Sequence, residues 1–240
     1  DGTAGRMGLY FASPRYPDDE TGITNTVVSG NKIFDCLGNG NDVFVWGSAK
    51  SYNSPANADY TGTVIEDNEI CGAHRSGIEI SGGVSNLTIR NNNIHHNPSS
   101  PSGETSTQKY GNGIAVIRIG GDYKNADAMG VTNLTITGNR IHDNEKNGIY
   151  MGPLNNNHTI TDNKLYNNGW DAIRLDLTEL YDGRDTNFAI YDAADNIDVS
   201  KNFFEGNAAY GIQIIGTPTN GFILDATRNW WGTSDETEIA

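Results

Sequence analysis

Large apolar residues recur along the chain at fixed distances from an asparagine. One stands three positions before the Asn and another two positions after it, as in Ile136, Asn139 and Ile141. Seven such copies align on Asn31, Asn68, Asn92, Asn139, Asn163, Asn202 and Asn229. Their spacings of 37, 24, 47, 24, 39 and 27 residues indicate a repeat of about 24 residues that inserts lengthen in some copies.

Each copy continues into a second apolar element. It reads "DVFVW" at 42, "GIEIS" at 77, "GIAVI" at 113, "GIYMG" at 148, "AIRLD" at 172 and "GIQII" at 211. A copy thus holds three short segments with apolar residues at alternate positions, separated by Gly and Asn turns, which is typical of β-strands. Three strands in about 24 residues predict a right-handed parallel β-helix of about seven coils, each rising about 4.8 Å. Leucine-rich repeats are the rival fold, but their LxxLxL frame is missing.

The predicted all-β fold covers about residues 24–232. We therefore predict a β-helix domain at 24–240, preceded by an N-terminal segment or partial cap at 1–23. Trp231 takes the core-facing position of the last copy and Trp230 the outward one, so this pair is expected to end the helix. Because an open helix end exposes strand edges, we expect the chain to belong to a longer protein or to associate end to end.

The Asn column has a structural explanation. An Asn side chain at a buried turn can satisfy unpaired backbone groups while it bonds its neighbour in the next coil. A second column repeats the arrangement at another corner, at Asn97, Asn144, Asn168 and Asn207. The glycosylation-type sequons at Asn86, Asn133 and Asn157 open a repeat where a turn Asn is expected, so we interpret them as turn residues.

The chain is strongly acidic, with 30 Asp and Glu against 16 Lys and Arg and a formal net charge of −14. Nucleic acids and anionic membranes reward basic patches, so neither is expected as a partner. No stretch approaches the roughly 18 apolar residues of a membrane span, and the opening "DGTAGRMG" lacks a signal-peptide pattern. Cys36 and Cys71 are the only cysteines, and the sequence leaves open whether they form a bridge.

The stretches "NLTIRNNNIHHN" at 86–97 and "NLTITGNRIHDNEKNGIYM" at 133–151, together with the Asn column, resemble the pectin-lyase-like family of β-helices. That family includes polysaccharide lyases, galacturonan hydrolases and alginate epimerases, so the resemblance implies the fold closely and the activity hardly at all. The closing "RNWWG" is similar to the end of β-helix domains in archaeal and bacterial cell-surface proteins. Among these, the resemblance extends to the disaggregatase type, which takes apart the chondroitin-like matrix of methanogen aggregates.

Inserts flank a single strand column, the second apolar element of each copy. They follow it at 47–62, 118–132 and 177–195 and precede it at 98–110. Long loops usually carry function or disorder, so these four are expected to wall a groove along one sheet. Alternation then predicts two outward columns, one of Phe44, Glu79, Ala115, Tyr150, Arg174 and Gln213, the other of Trp46, Ser81, Ile117, Gly152, Asp176 and Ile215.

The candidate catalytic residues are Tyr150, Arg174 and Asp176. Adjacent coils place Tyr150 and Arg174 about 5 Å apart at the backbone, and Asp176 shares the strand face of Arg174. A uronate lyase or epimerase must neutralise a carboxylate, which suits Arg174. It must also move protons, which suits Tyr150 if a neighbouring cation lowers the pKa of the phenol. Candidate substrate-binding residues are Trp46, Glu79, Tyr123, Tyr181 and Gln213, of which the aromatic ones could stack on sugars.

Other interpretations stay open. Hydrolysis needs two carboxylates about 5–10 Å apart, whereas Glu79 and Asp176 are separated by about 14 Å along the sheet. Only insert acids could complete a pair, namely Asp122, Asp182 or Asp185, so a lyase is slightly favoured. The plainer interpretation is a solvated face with an Arg174–Asp176 surface pair and a solvated Glu79.

The sequence assigns no metal site. Ca²⁺ held by Asp176 with insert carboxylates is one way to neutralise a substrate, and no other cofactor is predicted. His95 and His142 align on adjacent coils and could bind a metal, but their segment lacks inserts and a third ligand. We therefore predict a stacked surface pair.

The sequence thus predicts an extracellular or cell-surface enzyme that degrades an acidic, uronate-containing polysaccharide, by a lyase reaction in preference to hydrolysis. The alternative is a non-catalytic carbohydrate-binding or structural β-helix module at the cell surface. Fold alone does not separate the two, since both predict the same loop-walled groove.

Overall fold

The computed structural model describes residues 7–12, 22–36, 40–47, 58–99, 110–117, 130–152, 155–177, 196–216 and 222–233. Within these ranges every regular element is a β-strand, and twenty of the strands form three parallel sheets, named A, B and C here. The described residues include no helix long and apolar enough to cross a membrane.

The strands of each sheet follow one another in chain order. Sheet A consists of β1 (Leu9–Ala12), β4 (Val43–Trp46), β8 (Ser76–Ser81), β12 (Asn112–Ile117), β15 (Ile149–Met151), β18 (Ile173–Asp176) and β21 (Ile212–Ile215). Sheet B consists of β2 (Val27–Ser29), β6 (Val64–Glu66), β10 (Thr88–Arg90), β13 (Thr135–Thr137), β16 (His158–Thr161), β19 (Ile197–Asp198) and β22 (Leu224–Asp225). Sheet C consists of β3 (Lys32–Phe34), β7 (Glu69–Cys71), β11 (Asn93–His95), β14 (Arg140–His142), β17 (Lys164–Tyr166) and β20 (Phe203–Glu205). A fourth, two-stranded sheet pairs β5 (Ala58–Asp59) with β9 (Val84–Ser85).

The chain runs from sheet A through B to C and then starts the next turn on A. Because each strand pairs in parallel with its equivalent one turn later, the path is a parallel β-helix, as predicted. Seven coils lie within the described residues, the number that the sequence predicts. The predicted division at residue 24 stays a prediction, but β1 of the 1–23 segment already pairs with β4 and so is part of the first coil.

Apolar side chains fill the interior in columns. Ile78, Ile114, Ile149 and Ile173 of sheet A are fully buried, as alternation predicts. Opposite them, the residue two positions after each ladder Asn also enters the core, as Ile141 does with no exposed surface. Each such side chain contributes about 1.5–3 kcal/mol relative to an exposed position.

Two asparagine ladders hold the corners, as predicted. In the main ladder each Asn Nδ2 donates to the Oδ1 of the next Asn at 3.0 Å, or 3.3 Å at the last step. The second ladder runs from Asn97 through Asn144 and Asn168 to Asn207 at 2.8–2.9 Å. A third and shorter one, from Asn147 Nδ2 to Asn112 Oδ1 at 2.9 Å, precedes sheet A and escaped the sequence analysis.

The sequon asparagines occupy turns in the left-handed region, which confirms their interpretation as turn residues. Asn86, Asn133 and Asn157 have φ angles of 62°, 53° and 58°. Asn tolerates this backbone conformation better than most residues with a side chain, because its short amide can bond locally. The sequence motif is therefore accounted for by backbone geometry.

The last coil ends on the two tryptophans. Trp231 packs against the core cluster and lies 5.1 Å from Phe204, measured between ring centroids. Trp230 is 46% exposed and stacks on Phe203 at 6.3 Å. The predicted division of the pair into an inward and an outward ring is thus confirmed.

Candidate functional site

The outward columns of sheet A have the predicted register. Tyr150 pairs with Arg174 across β15 and β18, and Arg174 pairs with Gln213 across β18 and β21. Trp46 and Asp176 stand in the second column, opposite Ser81 and Ile215. Tyr123, Tyr181 and the insert acids Asp122, Asp182 and Asp185 lie outside the described residues. The roles assigned to all of these side chains stay predictions.

The centre of this face is buried, although its side chains point away from the core. Ala115, Ile117 and Tyr150 form a separate apolar cluster in which exposure does not exceed 2%. Asp176 is also buried, at 4% exposure. We expected the phenol, the guanidinium and the carboxylate to share one open groove. Of the three residues, only Arg174 reaches the surface, and it is half-buried.

Glu79 is buried rather than solvated, so the solvated interpretation was wrong. It is 1% exposed, and Arg75 binds it in a two-pronged ion pair with Nε–Oε2 at 2.6 Å and Nη2–Oε1 at 3.0 Å. The Ser81 hydroxyl donates to the same carboxylate at 3.1 Å, and the Arg75 guanidinium lies 5.8 Å from the Tyr110 ring centre. Its two oxygens thus contact Arg75 and Ser81, and its role in binding a substrate stays a prediction.

Arg174 makes different contacts from those expected. It forms an ion pair with Asp171 instead of the predicted Asp176, and Asp171 Oδ2 lies 3.4 Å from Arg174 Nη1. The same Nη1 donates to Gln213 Oε1 at 2.8 Å, which fixes the guanidinium between adjacent coils. Burial raises the pKa of Asp171, and the backbone N–H of Tyr210 and the Arg174 charge act against that rise. Arg174 is thus held in place by groups that leave part of its surface open.

Trp170 and Lys146 complete this cluster, and the sequence analysis missed both. Lys146 Nζ lies 5.0 Å from the centre of the Trp170 ring, and the Arg174 guanidinium carbon lies 5.7 Å from it. Trp170 is 38% exposed. Burial lowers the pKa of Lys146, an effect that Glu145 opposes and Arg174 reinforces. We call Lys146, Trp170, Arg174 and Gln213 the cation–aromatic cluster.

A repeat signal could have found these two residues. Lys146 and Trp170 each stand two positions after an Asn of the second ladder, Asn144 and Asn168, on consecutive coils. Their backbones are joined by a hydrogen bond from Trp170 N to Lys146 O at 3.0 Å. Equivalent positions on adjacent coils lie about 4.8 Å apart, so a Lys and a Trp there must touch.

Aromatic rings also line the other end of the face. Tyr10, in β1, stacks on Phe44 at 5.3 Å and on Trp46 at 6.4 Å between ring centroids. Tyr10 is 45% exposed. Trp46, predicted to stack on sugars, thus stands in a group of three rings, of which the sequence analysis overlooked Tyr10.

The described residues also bear on the calcium suggestion, on the histidine pair and on the two cysteines. Asp176 belongs to no described cluster of three metal-ligating side chains, so the Ca²⁺ suggestion gains nothing there. His95 and His142 do stack, with ring centroids 5.0 Å apart and planes 16° apart, as predicted. Cys36 and Cys71 are both free thiols.

Comparison with known proteins identifies the architecture. A family model described as "Right handed beta helix region" matches residues 19–226. The crystal structure of the periplasmic alginate epimerase AlgG is similar at 14% identity and a TM-score of 0.57, covering 86% of this chain and 39% of that one. A mutant of AlgG is similar at 15% identity and a TM-score of 0.59, covering 93% of this chain and 42% of that one.

The chain spans about two fifths of the length of these structures, and at this identity the likeness concerns the fold alone. A search of curated proteins gave no match. The family match, which covers most of the sequence, shows that the chain belongs to the right-handed β-helix family.

Proposed function

We propose that this protein acts on an acidic, uronate-containing polysaccharide that binds along sheet A. The observation that carries the proposal is the cation–aromatic cluster, in which an ammonium and a guanidinium lie 5.0 and 5.7 Å from the centre of one exposed indole ring. A pyranose ring can stack its C–H face on Trp170, while Lys146 and Arg174 lie beside it to meet a carboxylate.

Charge makes this cluster the favoured point of contact. The chain has a formal net charge of −14, which on the whole repels an anionic glycan. A local pair of cations is then needed for binding, and Lys146 and Arg174 supply it at adjacent coils. Arg174 is held by Gln213 and Asp171, so little side-chain entropy is lost when a substrate binds.

We place a lyase-type reaction at Tyr150 and Arg174, as the sequence predicts. Arg174 would neutralise the uronate carboxylate and so acidify the proton next to it. The phenolate of the neighbouring Tyr150 would take up that proton and return it to the glycosidic oxygen, as the bond from that oxygen to the uronate ring breaks and a carbon–carbon double bond forms in the ring. Among the described strand residues hydrolysis is less favoured, because Glu79 is committed to Arg75 and stands about 14 Å along the sheet from Asp176.

The second candidate is a binding module without chemistry. Full burial of Tyr150 favours it, because a phenol that does not reach the surface cannot touch a glycan. AlgG, which shares the fold, is named an alginate epimerase, and alginate is a polymer of uronates; this agrees with either candidate. We place the protein outside the cytoplasm, at the cell surface or in the extracellular space, and AlgG is named periplasmic.

A panel of acidic glycans separates the candidates. Binding by calorimetry should fall at least about tenfold in Arg174→Gln and Lys146→Gln, since each loses a charge-assisted contact. The matched controls Arg90→Gln and Lys164→Gln, on sheets B and C, should bind normally. Failure of every acidic glycan to bind, or equal losses in the controls, would refute the proposal.

Chemistry is read from the absorbance of unsaturated uronate products. A lyase gives absorbance with the wild-type protein that disappears in Tyr150→Phe and persists in Tyr166→Phe, a sheet C control. New reducing ends without absorbance indicate hydrolysis. Binding with neither product, and with the uronate composition of the recovered glycan unchanged, establishes the module.

A further inference from the structure

Three side chains of different chemistry meet on the outer face of sheet C. Cys71 and His95 are directly paired residues of β7 and β11, and Glu69 lies two positions before Cys71 on the same face of its strand. In a parallel pair such positions stand about 4.8 Å apart at the backbone, so the side chains lie next to one another. The repeat therefore fixes their proximity, without any contribution from a loop.

The donor atoms are close enough to share one ion. The Cys71 sulfur, a His95 ring nitrogen and a Glu69 carboxylate oxygen all lie within 4.8 Å of one another. Glu69 Oε1 is 3.6 Å from His95 Nε2. In a tetrahedral site with Zn–N near 2.0 Å and Zn–S near 2.3 Å, ligand atoms are about 3.3–3.6 Å apart, so small side-chain movements suffice.

Neighbouring groups orient the imidazole and limit the ligand set. His95 Nδ1 contacts His96 Nδ1 at 2.8 Å, which leaves Nε2 directed towards Glu69. His142 is excluded as a ligand, because its Nδ1 is bonded to Asp143 at 2.6 Å and its Nε2 to Asn93 at 3.0 Å. A ligating His whose second nitrogen is engaged is the usual arrangement around protein metals.

We propose that Glu69, Cys71 and His95 form a binding site for Zn²⁺ or a similar borderline-soft divalent cation. A thiolate and an imidazole select such ions over Ca²⁺ and Mg²⁺, which take oxygen ligands. The three ligands come from two successive coils, so the ion would join β7 to β11 and leave a fourth position for water. The site lies on sheet C, apart from the surface proposed to bind glycan.

Binding of the metal would displace a proton from Cys71 and an ammonium group from Glu69. Burial, and then the nearby carboxylates of Asp42 and Glu69, raise the pKa of the Cys71 thiol, so the metal must displace its proton to solvent as the S–metal bond forms. Burial, and then the neighbouring histidines, lower the pKa of His95, which favours the neutral imidazole that a metal requires. Lys32 Nζ, 3.1 Å from Glu69 Oε1, is the group that the cation would replace.

Cobalt provides the test on the full 240-residue chain. Titration with Co²⁺ alone should produce a thiolate-to-cobalt charge-transfer band in the near ultraviolet at one ion per chain, and Zn²⁺ should remove it. Cys71→Ser should abolish the band, and His95→Gln and Glu69→Gln should each weaken Co²⁺ binding at least about tenfold. The matched controls Cys36→Ser and His142→Gln should keep both the band and the affinity.

Stability gives a second reading. Excess Zn²⁺ should raise the midpoint of thermal unfolding of the wild-type protein and leave that of Cys71→Ser unchanged, because only an ion bound to the folded state stabilises it. Circular dichroism at 25 °C, compared with the wild type, verifies that each variant is folded. Absence of the band, or a band that survives Cys71→Ser, overturns the proposal. If Cys71→Ser does not fold, unchanged cobalt affinity in both Glu69→Gln and His95→Gln overturns it.

Discussion

The asparagine ladder makes a quantitative prediction, because the same residue type occupies buried and exposed positions of a single column. Asn139 is fully buried, whereas Asn31 at the first step is exposed. We predict that Asn139→Ala lowers the free energy of unfolding far more than Asn31→Ala. The two substitutions remove the same atoms, so the difference isolates the environment.

The magnitude follows from the bonds lost. Asn139 Nδ2 donates to Ile89 O, Thr137 O and Asn163 Oδ1 at 3.0–3.1 Å. Its Oδ1 accepts from the backbone N and the Nδ2 of Asn92 at 2.9 and 3.0 Å. Since buried partners are left unpaired, we expect a loss of about 3–5 kcal/mol. Asn31 Nδ2 makes two bonds at an exposed site, so Asn31→Ala should cost about 1 kcal/mol or less.

Urea unfolding followed by circular dichroism measures both losses, with unchanged m values as the sign that the unfolding transition itself is the same. Amide hydrogen exchange adds a local reading. The Asn92 N–H, which donates to Asn139 Oδ1, should exchange faster in Asn139→Ala and at the wild-type rate in Asn31→Ala. Equal losses of stability in the two variants would refute the idea that the ladder acts through buried, mutually dependent hydrogen bonds.

Two further predictions concern stability. Burial raises the pKa of Asp42 to about 7 from an ordinary value of 3.8. The folded state therefore holds this proton more tightly, so the free energy of unfolding should fall by about 4 kcal/mol between pH 4 and pH 7 and level off above. Over this pH range the urea midpoint of Asp42→Asn should fall less than that of the wild type. Gly113→Ala should lose about 1–3 kcal/mol in the same assay, because its Cβ would lie 2.5 Å from Ile141 Cγ2 and 2.7 Å from the Gly148 carbonyl oxygen. Wild-type stability in that variant would contradict the close approach of coils.

The fold was predictable because each repeat has the same residue types at the same spacings. Apolar alternation identified the strands, and the spacing around residues such as Asn139 gave the register, which the pairing of Ile94 with Ile141 confirms. Any slip by one residue would turn the Ile column to solvent and break the Asn bonds together, so only one register satisfies both.

The candidate site was predictable in register but not in exposure. Alternation correctly directs Tyr150 and Glu79 away from the core, yet both are buried. Period two determines which face of a sheet a side chain is on, and carries no information about what covers that face. Ion pairing has the same limit: the partner of Arg174 is Asp171, three residues earlier, because the long Arg side chain reaches back past the start of β18.

Both proposed sites lie where a column changes residue type between adjacent coils. Ladder columns repeat one residue, and the stacked rings of His142 and Tyr166 at 4.5 Å nearly do so, since like groups at a spacing of about 4.8 Å stabilise the stack. Lys146 followed by Trp170, or Cys71 followed by His95, breaks this rule on consecutive coils. Unlike groups held at contact distance can also bring complementary chemistry together, so breaks of this kind in a column are positions at which binding is to be sought.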